Sequence, residues 1–448
     1  MPLFEYLELA LTQLTLLVIS TIWLLQRNDE VPLLISIFMF YVASYRYWAV
    51  THGINHWVNL TWLGLTPVTQ TAALKALAYI VFGQICLLTT YMLNQKRVLP
   101  ILYSTASDFV LLQWFSNKVI YFGLFCLPLV IISRSIVLAQ LHQGKSLAFQ
   151  ISNYLHLFPL ALVGVVTLIF TLWKFNGFHS LPNKIAAILI IIGVFELTFS
   201  SSGRFQFMGW ITAAGIIFSS SYRPKTRLVI LSTCLLLAIS LFAIAGAMRN
   251  PNLPGDALNQ AAWERASSAE DANMLDGFVL LQSVYPQRLD FQFGMEHLEI
   301  IMRPIPRAWW PGKPVGGYMN KLGLTIQGGK GTLGISPSLF GSFYAEGGVI
   351  GIVIFSLLYG MIMAKIVGYS NKLKPFAAIL VRAILCASLF PLLRGGDLPG
   401  IYAWIGMAFW PCFLLLWIKR SDLRLTLPES FSIYYPYMEF SERKSKHY

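Results

Sequence analysis

Residues 303–314 read RPIPRAWWPGKP, where Arg303, Arg307 and Lys313 share a dozen positions with four prolines and the pair Trp309–Trp310. An arginine fork matches the oxygens of a phosphate or diphosphate and keeps its charge when partly buried. Cations fixed by rigid turns therefore form a ready clamp for a phosphate-bearing ligand. A plainer assignment competes with it: the tryptophans anchor at the headgroup level and the cations merely touch lipid headgroups. Proton transfer needs a carboxylate or imidazole within reach of a hydroxyl. Glu346, set among glycines, is the first choice for that base. Glu296, His297 and Glu299, one turn apart just before Arg303, come next, with Glu196. Each has an ordinary alternative. Glu346 suits a helix N-terminus, His297 reads equally as a surface histidine, and Glu196 as the partner of a neighbouring arginine. The chain shows no DxD-type metal site, no His/Cys cluster with metal spacing and no nucleotide-binding pattern, so no metal and no other cofactor is expected.

What must position these residues is a membrane bundle. Of 448 residues, 56% are hydrophobic and 12% charged, with a mean hydropathy of +0.62 and repeated apolar runs of about 20 residues. The five cysteines (Cys86, Cys126, Cys234, Cys386 and Cys412) fall in apolar segments and read as small core residues. The net charge of +13 sits in loops and not in a soluble basic domain, so nucleic acid is not an expected partner. A basic n-region is lacking, and no cleavable signal peptide is expected. Eleven spans are expected near 7–26, 32–50, 73–93, 117–140, 156–173, 183–200, 205–221, 228–247, 343–364, 376–393 and 400–418. The stretch 99–114 adds a twelfth only if Asp108 is tolerated in lipid; otherwise it is interfacial or re-entrant. The expected fold class is an all-α polytopic membrane protein of about 11–12 transmembrane helices. One large outward-facing loop carries short amphipathic helices over the outer mouth of the bundle. The organisation is N-terminal spans over 1–247, the loop over 248–342, C-terminal spans over 343–418 and a tail over 419–448.

Short loops orient the chain. Arg27, Lys96, Arg97, Lys174, Lys184, the run RPKTR (223–227), Lys365, Lys372, Lys374, Lys419, Arg420 and Arg424 fall on one alternating side. The positive-inside rule makes that side cytoplasmic, together with the C-terminus, and the long loop outward. Arg46, Arg134, Arg204, Arg249, Arg303, Arg307 and Arg394 then stand at outer span ends or beyond them, against the orienting bias. Positive charge so placed calls for an anion. The plainer options are a snorkelling Arg204 and a local pair of Arg394 with Asp397. Arg382, inside a span on the cytoplasmic half, reads as a structural partner.

Four stretches in order carry a family resemblance. FGMEHLEIIMRPIPRAWWPGKP (293–314) resembles the "G…iPR.lWp.KP" signature of bacterial oligosaccharide repeat unit polymerases, the Wzy-type O-antigen and exopolysaccharide polymerases. SSGR (201–204) is similar to the "GSR" that opens a span in that family, and SPSLFGSFYAEGGVIG (336–351) to its "S.lge.y.nfG..G" segment after the large loop. PLLRGGDLPG (391–400) resembles its late outer turn. The likeness covers roughly 195–400; the first half matches only as generic spans. Paired Arg-x10-Gly motifs described for some members are not evident, since Arg204 and Gly215 alone have that spacing.

The resemblance implies a metal-independent membrane glycosyltransferase. It would move a growing glycan from undecaprenyl diphosphate onto the non-reducing end of the next lipid-linked repeat unit, at the outer face of the bacterial cytoplasmic membrane. It implies as partners the lipid-linked oligosaccharides, the bilayer, a chain-length regulator and a flippase. Arg204 and Arg307 would serve with Glu346 in catalysis, and Arg249, Arg303, Trp309, Trp310, Lys313, Arg394 and Asp397 in holding diphosphate or sugar. Two alternatives remain open: an O-antigen ligase, and a flippase of lipid-linked oligosaccharide. A flippase commonly shows repeat halves, whereas here the charge is one-sided.

Overall fold

The computed structural model describes residues 5–59, 61, 64–95, 106–142, 157–198, 204–247, 257–268, 272–303, 305, 309–310, 312–313, 321–322 and 335–425. It is 79% helical, with no strand among the described residues. Among the described residues, eight helices are long and apolar enough to cross a membrane: Tyr6–Arg27, Val31–Thr51, Gln70–Asn94, Asp108–Leu129, Pro224–Ala247, Ser338–Ser370, Pro375–Arg394 and Leu398–Ile418. Three shorter apolar helices, Leu160–Lys174, Leu181–Phe195 and Phe207–Ser219, complete a set that overlaps all eleven expected spans. The chain is an all-α polytopic membrane protein. Of the stretch 99–114, residues 106–114 are the opening turns of a span helix, and 99–105 lie outside the described residues.

In chain order the helices are α1 (Tyr6–Arg27), α2 (Val31–Met39), a π-helical turn (Phe40–Tyr45), α3 (Arg46–Thr51), α4 (Gln70–Asn94) and α5 (Ala106–His142). There follow α6 (Leu157–Lys174), α7 (Leu181–Thr198), α8 (Arg204–Ser219) and α9 (Pro224–Ala247). Three short helices, α10 (Leu258–Ser267), α11 (Met274–Gln282) and α12 (Met295–Met302), precede α13 (Ser338–Ser370), α14 (Pro375–Arg394) and α15 (Leu398–Ile418). Local chemistry sets several ends. Thr69 caps α4 by accepting from the Ala72 N–H at 3.3 Å, and Asn28 closes α1 in the left-handed region. Lys374–Pro375 and Asp397–Leu398–Pro399 place proline in the first turns of α14 and α15, where a missing N–H costs nothing.

Helix ends pair as the alternating loop assignment requires. At the lysine-rich end, Arg227 on α9 meets Glu30 at 2.7 Å and the Asn28 carbonyl at 2.8 Å. Arg382 on α14 bonds the same Glu30 carboxylate and the same carbonyl, and Tyr91 donates to Asp29 at 2.7 Å. Two acids thus face two arginines in a buried, charge-balanced cluster, so Arg382 has a structural partner, as its position in the span suggested. Lys374 reaches Asp108 at 2.9 Å on the same side, which places Asp108 at a helix end and not in mid-bilayer. At the opposite end, Tyr45 donates to the Ser267 carbonyl at 2.6 Å and Asn55 to the Ser268 carbonyl at 2.8 Å.

The long loop departs from expectation in two respects. α11 does not lie over the mouth: Met274 through Leu281 are all buried, so it is a core element. A helix apolar on every face belongs inside. Its one acid, Asp276, takes a two-toothed contact from Arg46 (Nε 3.0 Å, a terminal nitrogen 3.2 Å) and accepts from the Val58 N–H at 2.9 Å. The anion that Arg46 meets is therefore in the protein. The span after the loop also begins earlier than residue 343, at Ser338, and it is not continuous.

Candidate functional site

The discontinuity in α13 falls at Gly347 and Gly348, directly after Glu346. Gly348 has φ +64°, a region that side chains with a Cβ rarely enter, and a Cβ there would also press on the Phe291 ring at 3.3 Å. A broken helix leaves carbonyls without intrahelical donors. Here the Ala345 and Glu346 carbonyls accept from the N–H groups of Gln292 and Phe293, at 2.9 and 2.8 Å. The break thus stitches the loop segment before α12 onto the membrane helix, and with it fixes where α12 lies.

Glu346 is fully buried at this joint. One carboxylate oxygen accepts from the Gly294 N–H at 2.5 Å, and the other lies 2.7 Å from His297 Nδ1 on α12. With the carboxylate oxygen as acceptor, the imidazole donates from Nδ1, and in the neutral tautomer that goes with this, Nε2 is the acceptor. Nε2 lies 3.1 Å from the Tyr359 hydroxyl, one helix segment deeper on α13. Tyr359 shares a further hydrogen bond with Tyr402 on α15. The ring stacks on Phe355 at 4.2 Å between centroids and 5° between planes, so its orientation is fixed from face and edge alike. His297 keeps 20% of its side chain accessible whereas Glu346 keeps none. The carboxylate therefore reaches a ligand only through the imidazole. This carboxylate–imidazole–phenol chain links the loop to the interior of the bundle by hydrogen bonds.

Three more acids crowd the same place. Glu296 is buried beside the first turn of α15, accepting from the Leu398 N–H at 3.3 Å. Burial pushes its carboxyl up to about 8, with the Glu346 charge adding to the rise and Lys321 opposing it. Glu299 pairs with Lys321 at 3.3 Å, and the same ammonium donates to Gln292 at 2.6 Å. Asp397 caps α15 by accepting from the Gly400 N–H at 3.1 Å. The turn before it uses Gly395 at φ +68°, where a Cβ would overlap the Ser338 carbonyl, so the end of α14 can lie against the start of α13.

The expected cations divide. Arg303 stands 3.9 Å from Asp397, and both are about a third exposed (34% and 35%). Arg394 is half-buried in the last turn of α14 and engaged with its surroundings. Lys313 folds back to donate to the Arg303 and Ile305 carbonyls at 2.6 and 2.8 Å, capping the end of α12. Trp309 is 82% exposed and Trp310 about a third. Arg204 opens α8, but its side chain is outside the described set, as are those of Glu196 and Arg134; Arg249 and Arg307 fall outside the described residues altogether. The structure thus brings Glu346, His297, Glu296, Glu299, Arg303 and Asp397 into one neighbourhood. Tyr359, Tyr402 and Lys321 also belong there and were not singled out in the sequence. A hydroxyl inside an apolar run at Tyr359 was the one legible hint.

Beside this end, an apolar slot opens between α2, α8, α9 and α14. Phe38, Met208, Phe242 and Phe390 form its walls, and Arg265 stands among its lining. Met208 lies one turn from Arg204 on α8, and Phe390 one turn from Arg394 on α14. No group of three His, Cys, Asp or Glu side chains that could hold a metal occurs among the described residues. Searches of family models, curated proteins and solved structures return no match to this chain.

Proposed function

We propose that this protein is a membrane glycosyltransferase that polymerises undecaprenyl-diphosphate-linked oligosaccharide repeat units at the outer face of the bacterial cytoplasmic membrane. The observation that carries the proposal is the Glu346–His297 pair, set at a helix break at the loop end of a membrane bundle with arginines on the same side. In the reaction, a hydroxyl at the non-reducing end of the incoming unit attacks C1 of the growing glycan. The bond from C1 to the diphosphate oxygen breaks, and the electron pair leaves with the diphosphate. The incoming hydroxyl takes the place of the Tyr359 hydroxyl at His297 Nε2 and passes its proton there, and the Glu346 carboxylate on Nδ1 stabilises the imidazolium. Arg303 and Arg394, with Arg204 and Arg307, supply positive charge where the leaving diphosphate develops its own. The apolar slot would receive part of the prenyl chain of such a carrier, with cationic positions a turn above its walls. Asp397, beside Arg303, sets that guanidinium's position. Lys313 supports the clamp from behind by holding the end of α12.

The test is a gel profile of surface polysaccharide and lipid-linked intermediates from the parent strain, a strain lacking the gene, and one carrying His297→Asn. Collapse of a long ladder to one repeat unit in both mutants is the expected result. Full-length lipid-linked chains accumulating without transfer to their final acceptor would instead make the protein a ligase. Single units trapped on the cytoplasmic side would make it a flippase.

A further inference from the structure

Helix α12 is amphipathic in the unexpected sense. Its acids face inward: Glu296 and Glu299 are buried, and His297 is turned onto Glu346. Three of its apolar residues face outward, while Ile300 packs against the core: Met295, Leu298 and Ile301 are all exposed, Ile301 at 75%. These three recur every third residue and form one stripe on the helix. Phe293, just before the helix, is 80% exposed. Trp309 and Trp310 follow just after it, in a turn pinned to the helix end by Lys313, whose own N–H bonds the Trp310 carbonyl at 3.1 Å. Such a surface would not persist in water without a cover.

What covers it is indicated by what adjoins it. The backbone bond from Phe293 to the Glu346 carbonyl seats this segment on α13 at the top of a row of exposed apolar residues: Val349, Ile350, Ile354, Leu357 and Ile362. In a polytopic membrane protein that row faces the acyl chains. The α12 stripe is its continuation, bent through the break at Gly347–Gly348.

We infer that α12 lies in the bilayer interface, with Met295, Leu298 and Ile301 immersed among lipid chains and Glu296, Glu299 and His297 facing the protein. Interfacial helices of this kind sink about 5–10 Å into the headgroup–acyl boundary, and tryptophans favour the same level. The bilayer is then one wall of the carboxylate–imidazole site, and a ligand with a lipid tail reaches the site sideways without leaving the membrane. The inference stands on the exposure pattern and the stitching to α13, and it does not depend on the transferase assignment.

The test is photocrosslinking. Benzoylphenylalanine is placed singly at Phe293, Leu298 or Ile301 in the full chain, reconstituted in nanodiscs of phosphatidylethanolamine and phosphatidylglycerol, and irradiated. Ile350 serves as the lipid-facing control and Glu264, exposed on α10, as the water-facing one. Mass spectrometry reads lipid adducts. Yields at Leu298 and Ile301 within about threefold of Ile350, and at least about tenfold above Glu264, are expected for an interfacial helix. Yields at the Glu264 background with Ile350 still labelled would overturn the inference. So would covalent dimers in place of lipid adducts, which would put a second copy of the chain on this face. Three independent positions keep the test decisive where one variant misfolds.

Discussion

Replacing Glu346 separates what its carboxylate holds from what it does. Glu346→Ala removes the acceptor of two half-buried donors, the Gly294 N–H at 2.5 Å and His297 Nδ1 at 2.7 Å. An orphaned buried donor costs about 1–3 kcal/mol, so the loss should be about 2–6 kcal/mol. Glu346→Gln keeps the side chain's volume, and its amide oxygen can still accept from Gly294. Its NH2 group, however, now donates to Nδ1 and forces the proton of a neutral imidazole to Nε2. The destabilisation should be smaller, about 1–3 kcal/mol, while Nε2 ceases to be an acceptor. Loss of a positioned base typically costs 10²–10⁴-fold in rate, and transfer should fall in that range for both variants. Thermal unfolding of purified protein in detergent reads the first effect, and the length distribution of the glycan reads the second. A Gln variant that melts near the parent and makes a full ladder would refute the role of the pair in proton transfer. An Ala variant no less stable than Gln would refute the anchoring of α12 through this carboxylate.

Three further outcomes follow from the geometry. Arg46→Ala strands Asp276 in the core without its partner, and breaking a buried pair costs about 3–5 kcal/mol; a melting temperature indistinguishable from the parent would show that Arg46 does not hold α11. Glu296 is raised to about 8 from its ordinary 4.5, so the fold favours its protonated form. The stability it contributes is complete below about pH 4.5, shrinks as pH rises and is gone above about 8. Glu296→Gln should therefore melt higher than the parent at pH 9 and lose the parent's decline between about pH 5 and 8, and equal slopes in the two proteins over that window would contradict the shift. Gly348→Ala puts a Cβ into the left-handed region against Phe291, for a cost of about 1–3 kcal/mol; protease sensitivity between α12 and α13 should rise, and an unchanged digestion pattern would argue that the break tolerates a side chain.

Hydropathy was enough to read the bundle, because a span must hide its backbone within about 20 apolar residues whatever its neighbours are. The same logic made Arg382 legible as a structural partner. The loop was harder. Short amphipathic helices were expected over the mouth, but apolar residues on all faces of α11 meant burial, with its acid Asp276 tied to Arg46. Glu346 stood out for its glycines, and those glycines do mark a helix break. What one sequence could not show is that the break joins Glu346 to His297 across 49 positions. Such a pairing is set by tertiary packing and leaves no local pattern. Nor could it show that Lys313 spends its charge on two carbonyls, since backbone acceptors have no signature in side-chain types.

The acid pair at the lysine-rich end bears on how the chain is made. Asp29 and Glu30 leave the ribosome with the first helical hairpin, but Arg227 follows 197 residues after Glu30 and Arg382 follows 352 after it. Lone carboxylates resist burial in hydrocarbon. Through most of synthesis the turn between α1 and α2 must therefore stay at a membrane surface, in contact with water, and it can be drawn in only when α14 arrives. The first hairpin of the bundle is among the last parts to be locked, and a chain stopped before α14 would carry its own uncovered acids as a mark of incompleteness.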